Sequence, residues 1–384
     1  MMKDAVTILG GEQQCSLGAH PERLSHLHEG TTRISSQSLI VNGETLCYPY
    51  YLIAGNKRPT EIEELTQALH QVILPLLEKN GMDAARLARC GLFLGSSTND
   101  LSLAIPLGKN SFNEIEAGMA RRRVGNGYCA EVLRGSLGLR GLEWTYNTAC
   151  TSSANALMDA ASMLQSGLID YALVVGIEVV TPGILDGFIS LQLLSSTEFR
   201  PFDRERNGFV LGETVNALLL SRESVAPSGW HYLGGMSNCE TFSITSGNPD
   251  GEQFASVMRA ALRDAGLRPE QIDVVKAHGT ASPLSDLTEI KAMRQVFTAL
   301  PPFLSLKPFI GHTLGGCATA ELLLFMECVD AGFVPRSIQF ATMDEELGEA
   351  PLQQRMALEN GAFMMNFFGF GGNNTSFIVR KGNG

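Results

Sequence analysis

Residues 146–157 read YNTACTSSANAL and mark the passage from an extended segment into a helix. Apolar residues recur at helical spacing from Ala154 to Leu164, and Ser166-Gly167 is a helix end signal. Cys150 therefore lies at a helix N-terminus, where neighbouring Thr and Ser hydroxyls are expected to cap free N–H groups. The positive end of the helix dipole favours thiolate, the nucleophilic form of the thiol. A buried structural cysteine is the alternative interpretation.

The composition indicates a large cytoplasmic protein with more than one structural unit. The chain has 384 residues, of which 44% are hydrophobic and 18% charged, enough for a sizeable core. No signal pattern or apolar run of membrane-spanning length is present, so no membrane association is expected. The eight cysteines show neither CxxC pairs nor zinc-ligand spacing, which is typical of reduced thiols.

The net charge is −11, which argues against nucleic-acid binding over a broad basic face. An acidic protein partner would need a local basic patch on such a chain. The only arginine triplet is Arg121-Arg122-Arg123. We interpret Arg122 and Arg123 as candidate docking residues, and a solvated surface run is the alternative.

The second half of the chain repeats the organisation of the first. A helix, a glycine stop, a polar link and a strand occur in residues 76–98 and again in residues 261–282. Gly81 and Gly266 lie 185 positions apart, and Gly95 and Gly279 lie 184 apart. The apolar strand 171–180 corresponds in the same way to residues 363–370. An earlier strand is expected over residues 5–9.

Two related βα halves, 1–225 and 226–384, predict a pseudo-twofold α/β protein with two packed sheets. The boundary is expected at residues 224–229, which contain Pro and Ser. Equivalent loops of the two halves should then meet at the pseudo-axis.

Two histidines occupy such loops and are expected to join Cys150 in one site. His278 ends an apolar strand, and His312 belongs to the segment 307–313, KPFIGHT, which leads into a helix. A zinc site built from one thiolate and two imidazoles is the rival interpretation, although Lys307 would repel the cation. The glycine-rich turn 369–374 allows close backbone approach to a ligand, with an N–H group available for an oxyanion.

These motifs together resemble the β-ketoacyl-acyl-carrier-protein synthases, the elongating Cys-His-His condensing enzymes of the thiolase superfamily, over nearly the whole chain. The resemblance implies a thiolase fold, in which two duplicated βα halves form five layers, αβαβα. The segments that carry it are TACTSS at 148–153, RPFD at 200–203, NGFV at 207–210, AHGT at 277–280 with Asp286 and Glu289, Lys307 with Gly311-His312, and GFGG at 369–372.

The resemblance also implies a role for each matching residue. Cys150 would hold an acyl group, with the N–H groups of Cys150 and Phe370 as oxyanion hole. His278 and His312 would bind the malonyl thioester carbonyl through N–H donors. Lys307, paired with Glu289, would maintain the local charge and the orientation of the site, and would not act as the nucleophile. Phe368 and Phe370 resemble the gate over the acyl pocket.

By the same resemblance no metal or organic cofactor is needed, because acyl carrier protein delivers the substrates on phosphopantetheine. The expected assembly is a homodimer, or a heterodimer with a ketosynthase-like paralogue. The chain departs from the family at Pro308, where a small polar residue is usual, and in shortened connections near 43–60, 98–130 and 195–200. These departures bear on pocket shape, carrier docking and dimer contacts.

Three other classes resemble the chain less well. A chain-length-factor subunit typically lacks the nucleophile that Cys150 provides. A thiolase has a second cysteine near its glycine-rich C-terminus, and residues 361–374 contain none. Condensing enzymes of the start type use Cys-His-Asn, in contrast to His312 here. The predicted function is therefore decarboxylative condensation in fatty acid or type II polyketide or polyene biosynthesis, with a specialised subunit of a heterodimeric synthase as the alternative.

Overall fold

The computed structural model describes residues 6–41, 44–53, 59, 62–97, 125–179, 181–223 and 229–382. Its strands are β1 Val6–Gln14, β2 Ser35–Val41, β3 Glu44–Tyr50, β4 Cys90–Gly95, β5 Glu143–Tyr146, β6 Tyr171–Glu178, β7 Thr214–Ser221, β8 Trp230–Cys239, β9 Val274–Lys276, β10 Phe303–Leu304, β11 Phe333–Val334, β12 Met356–Ala357, β13 Gly361–Phe368 and β14 Asn373–Lys381. Its helices are α1 Glu22–Glu29, α2 Ile62–Lys79, α3 Ala84–Leu87, α4 Asn126–Ser136, α5 Ser152–Gln165, α6 Pro182–Ser190, α7 Glu252–Ala265, α8 Pro283–Val296, α9 Lys307–Ile310 and α10 Cys317–Asp330. None of these helices is both long and apolar enough to cross a membrane.

Ten strands form one hydrogen-bonded sheet in the order β10-β9-β13-β14-β8-β1-β7-β6-β4-β5. Five of them precede residue 224 and five follow it, and both sets have the same internal order and the same parallel and antiparallel pairings. The predicted duplication is therefore confirmed in the topology. The two predicted sheets are joined, because β1 and β8 pair antiparallel over residues 6–8 and 230–232.

Alternate residues of the central strands pack into different cores, and this arrangement defines the layers of the fold. In β6, which is buried throughout as its continuous apolar run predicts, Ala172 and Val174 face a central core that includes α5. Leu173 and Val175 face an outer core with α2. In β13, Phe363 packs on the α10 side, whereas Met364 faces an outer core with α7. Helices α5 and α10 thus lie between the two halves, which confirms the five-layered αβαβα arrangement.

Strand β1 is longer than the predicted segment 5–9 and continues through Gly10-Gly11 to Gln14. The ladder with β7 shifts register between Ile8 and Gly10, so the strand passes the glycines as a bulge. A Cβ atom at Gly11 would lie 2.6 Å from the Ala217 carbonyl oxygen. The glycines therefore permit close approach within a strand instead of ending it.

Candidate active site

Cys150 lies in a short 3-10 turn, Ala149–Thr151, between β5 and α5. A twin turn, Leu314–Gly316, precedes α10 in the second half. Both turns begin with a non-glycine residue in the left-handed region, Ala149 at φ 51° and Leu314 at φ 40°. The pseudo-symmetry therefore brings two helix N-termini together, and the second half carries Gly315 where the first carries Cys150.

Hydroxyl groups around Cys150 form caps in a different way from the prediction. The Thr151 hydroxyl donates back to the Thr148 carbonyl oxygen at 2.7 Å and caps no α5 N–H. Ser153 Oγ instead accepts the N–H of Ala318 at 3.1 Å, in the first turn of α10. Because the two helix starts face each other, a hydroxyl on one helix caps the other.

The predicted thiolate at Cys150 is wrong for the resting protein. The side chain is only 6% exposed, and burial raises the pKa of its thiol to about 11. The Lys307 ammonium and the backbone N–H of Phe370 lower the pKa but do not offset the burial. The exposed cysteines are Cys47 and Cys239. Cys150 is therefore a neutral thiol that faces hydrogen-bond donors.

His278 follows β9 and contacts Lys307. Lys307 Nζ lies 3.3 Å from His278 Nδ1 and donates to the His278 carbonyl oxygen at 2.6 Å. Since an ammonium group can only donate, Nδ1 of His278 accepts, and the ring proton resides on Nε2. Burial, followed by repulsion from Lys307 and His312, lowers the pKa of His278 well below its usual value.

His312 has the same tautomer for a different reason. Its Nδ1 accepts the backbone N–H of Leu314 at 3.2 Å, so the proton is again on Nε2. Burial and the charge of Lys307 keep the pKa of His312 well below its usual value. The two ring centroids are 5.5 Å apart at 83°, and both rings and Cys150 line one cavity. Two neutral imidazoles therefore offer N–H donors beside the thiol.

The ion partner of Lys307 is Glu321, and the predicted pair with Glu289 is wrong. Lys307 Nζ lies 2.8 Å from Glu321 Oε1, with both side chains fully buried. Glu289 instead accepts the backbone N–H groups of His278 at 2.7 Å and Gly279 at 2.9 Å. Helix α8 turns Glu289 onto the loop after β9, whereas α10 presents Glu321 to Lys307. The sequence does contain a signal for this partner: Glu321 is the one acidic residue within the apolar helix segment 317–325, CATAELLLF.

Asp286 connects two of the sequence motifs and is not part of the cavity lining. Its carboxylate accepts the N–H groups of Thr280 and Ala281 at 3.0 and 3.1 Å, and that of Phe202 at 2.7 Å. The RPFD segment and the loop after His278 are therefore held by one buried side chain.

The glycine-rich turn approaches the site through its backbone. The N–H of Phe370 is directed at the Cys150 sulfur. Gly372 has φ 77°, and a Cβ atom there would lie 1.9 Å from the Glu240 carbonyl oxygen, so only glycine fits. The Phe368 ring stacks on Phe254 at 3.7 Å and meets His278 edge-on at 5.8 Å.

Two cavities meet at Cys150. The histidine cavity is lined by both histidines and by Ser246, Thr280 and Ser282, which carry hydroxyl groups. The apolar cavity has a volume of about 290 Å³, and its lining is almost wholly apolar. It is lined mainly by Ile184, Phe188, Leu191, Leu314 and Phe370. Phe370 borders both cavities, and its ring lies 5.8 Å from that of Phe188.

Arg122 and Arg123, the predicted docking residues, lie outside the described residues. Within the part of the chain that the structure describes, no three His, Cys, Asp or Glu side chains cluster as metal ligands.

Comparison with known proteins places this chain in a family. Residues 33–226 match the β-ketoacyl synthase N-terminal domain, and residues 232–341 match the C-terminal domain. A 3-oxoacyl-(acyl-carrier-protein) synthase 2 from Vibrio cholerae is 32% identical over 82% of this chain and 80% of its own length. A synthase of the same name from Synechocystis is 33% identical over 64% of this chain. The chain spans 63% of that relative's length, and 56% of a chloroplastic synthase I from Hordeum vulgare.

Solved structures are similar along the whole chain. A chain of the ketosynthase–chain length factor complex from Xenorhabdus doucetiae superposes with a TM-score of 0.83 at 24% identity, covering 99% of this chain and 98% of its own. A β-ketoacyl synthase from Burkholderia phymatum gives 0.83 at 23% identity, with both chains fully covered. These likenesses confirm the thiolase fold. With both domain models matched in chain order, and the Vibrio relative aligned along most of both chains, the protein belongs to the β-ketoacyl synthase family.

Proposed function

We propose that the protein is a 3-oxoacyl-acyl-carrier-protein synthase, which joins an acyl group held on Cys150 to malonyl carrier protein with loss of carbon dioxide. The observation that carries the proposal is the pair of Nε2–H donors on His278 and His312 beside a buried thiol. Two such donors can stabilise one enolate oxygen in a site where water is scarce.

The first half-reaction is acyl transfer. Cys150 Sγ attacks the thioester carbonyl carbon, and the backbone N–H groups of Cys150 and Phe370 receive the developing oxyanion. The carbon–sulfur bond to phosphopantetheine then breaks. The thiol proton leaves with the phosphopantetheine sulfur, so the step needs no net proton exchange, and a resting pKa of about 11 for Cys150 is compatible with it.

The second half-reaction is decarboxylation and condensation. The malonyl thioester carbonyl oxygen accepts from both imidazoles while the bond to the carboxylate breaks, and carbon dioxide leaves. The electron pair remains on the substrate as an enolate. Its carbon attacks the acyl-Cys150 carbonyl, the carbon–sulfur bond breaks, and Cys150 takes a proton from solvent. The product is a β-ketoacyl thioester two carbons longer than the acyl group.

The two cavities suit the two parts of the substrate. The apolar cavity would take the acyl chain, since its lining offers almost no polar surface. The histidine cavity, with its hydroxyl groups, would take the phosphopantetheine arm. Phe370, which borders both, and Phe368 would form the gate between them. No metal or organic cofactor takes part in this reaction, and a cytoplasmic location belongs to the same proposal.

The test is intact-mass analysis after incubation with carrier proteins loaded with acyl groups of different lengths. We expect a mass increase of one acyl group on the wild type and none on Cys150→Ala. Adding malonyl carrier protein should discharge the acyl-enzyme and yield the β-ketoacyl product. A fully acylated Cys150→Ala variant, or an acyl-enzyme that malonyl carrier protein never discharges, would contradict the proposal.

A second candidate is a specialised ketosynthase or chain-length-factor-like subunit of a heterodimeric synthase. It is favoured by the similarity to chains of ketosynthase–chain length factor complexes. It predicts that the protein acylates only when a ketosynthase-like paralogue is present. Comparing the acyl-enzyme yield of the purified chain alone and with a co-expressed paralogue separates the two candidates.

A further inference from the structure

Behind the two histidines lies a second buried lysine, Lys276, to which the reaction steps above assign nothing. We propose that Lys276 is a positioning residue for decarboxylation: its ammonium group holds Glu321, which in turn holds Lys307 against His278. The inference rests on the proposed function, because it concerns one half-reaction of that site.

Lys276 is the last residue of β9 and lies two positions before His278. Its Nζ is 2.8 Å from Glu321 Oε2 and 2.9 Å from the Asn366 carbonyl oxygen. The ring centroid of Phe367 lies 3.5 Å from the same nitrogen. The side chain has no solvent exposure. The buried ammonium group is therefore in contact with a carboxylate, a carbonyl oxygen and an aromatic face.

Glu321 is a carboxylate shared by two lysines. Its Oε2 contacts Lys276 and its Oε1 contacts Lys307, each at 2.8 Å. Lys307 then reaches the carbonyl and Nδ1 of His278. Removing one partner from a buried ion cluster leaves the other charge uncompensated and free to reorient. Loss of the Lys276 ammonium would therefore disturb the contact that sets the His278 tautomer.

The charged groups around Lys276 also determine how readily it loses its proton. The titratable groups around it come from several elements: Glu321 and Cys317 from α10, Lys307 from α9, Glu289 from α8, and the two histidines His278 and His312. Burial lowers the pKa of Lys276 to about 8; attraction to Glu321 opposes this shift, and Lys307 adds to it. In contrast, the pKa of Lys307 is raised, because Glu321 and its other neighbours outweigh burial. Lys276 is thus the lysine that loses its proton first as pH rises.

The experiment compares Lys276→Met with Lys291→Met, the same change at a lysine of α8 that contacts the Pro249 carbonyl oxygen. Malonyl-pantetheine decarboxylation and Cys150 acylation by acyl-pantetheine are measured separately. We expect Lys276→Met to decarboxylate at least about tenfold more slowly, as for a misplaced donor, with acylation changed less than about threefold. Lys291→Met should leave both rates within about twofold, because this half-buried lysine contacts a backbone carbonyl outside the ion cluster.

A chemical rescue distinguishes positioning from general support of the fold. In Lys276→Ala, ethylammonium should restore decarboxylation in a saturable way, whereas tetramethylammonium, which cannot donate, should not. Equal loss of both half-reactions without rescue would show a structural role and overturn the inference. Wild-type decarboxylation rates in Lys276→Met would overturn it as well.

The wild type provides the remaining test if the variants do not fold. Its decarboxylation rate should fall as pH rises through about 8, where Lys276 loses its proton, and a rate that stays constant to high pH overturns the inference. The proposed function itself would be overturned by a wild type that is acylated on Cys150 but decarboxylates neither malonyl-pantetheine nor malonyl carrier protein.

Discussion

At Cys150, burial and electrostatics act in opposite directions on one thiol. Helix termini, Lys307 and the Phe370 N–H favour thiolate, but desolvation dominates and raises the pKa to about 11. Below that pH the thiolate is a minor species, and its fraction grows about tenfold per pH unit. We therefore expect alkylation of Cys150 by iodoacetamide to accelerate by about that factor per unit between pH 7 and 10.

Peptide mass mapping checks this prediction. Cys47 and Cys239, which are exposed, should be modified before Cys150 at pH 7. Cys150→Ser provides the control for peptide assignment. If the alkylation rate of Cys150 levels off below pH 8, the helix termini lower the pKa of the thiol by more than burial raises it, and the prediction is wrong.

The two histidines should be separable by half-reaction. His278→Ala and His312→Ala each remove one Nε2–H donor to the enolate, so decarboxylation should fall about a hundredfold or more. Acyl transfer should fall less, because the N–H groups of Cys150 and Phe370 remain. Malonyl-pantetheine decarboxylation and intact-mass acylation give the two rates. Equal losses in both assays would contradict this division of labour.

At the scale of elements, α5 and α10 are joined by the cap that Ser153 provides. Its Oγ accepts the Ala318 N–H at 3.1 Å. Ser153→Ala should lower the free energy of unfolding by about 1 kcal/mol, the usual cost of losing an N-cap. Ser190→Ala is the matched control, since that hydroxyl donates to the Asp186 carbonyl in an exposed helix. Urea unfolding measures both, and equal stabilities of the two variants would refute the cross-helix cap.

For the whole molecule, the outer strand β5 offers an edge for assembly. Leu142 and Trp144 are 41% and 46% exposed beside it. An apolar edge strand pairs readily with another chain, and a charge on it opposes pairing. We expect the protein to form dimers along β5, and Trp144→Lys to shift the sedimentation equilibrium toward monomer. Leu168→Lys, at a 64% exposed site that is not part of β5, is the control. Unchanged dimerisation of Trp144→Lys would place the interface elsewhere.

The sequence by itself determined the main strands and helices and grouped the three residues of the candidate site. Periodicity is local, so the strands around Cys90 and Tyr171 and the helix after Cys150 are readable from neighbouring residues. The repeat of spacing then brings equivalent loops together, which explains why Cys150, His278 and His312 could be grouped. The boundary at residues 224–229 and the docking role of Arg122 and Arg123 stay predictions.

Only the tertiary structure decided how the groups around those three residues interact. Lys307 pairs with Glu321 instead of Glu289 because α10, and not α8, presents a carboxylate to it. Ser153 caps the N–H of Ala318, which lies 165 residues later in another helix. Cys150 is a neutral thiol because packing from both halves removes it from water. Ion pairs, caps and desolvation depend on distances between segments remote in the chain, and local sequence patterns do not encode those distances.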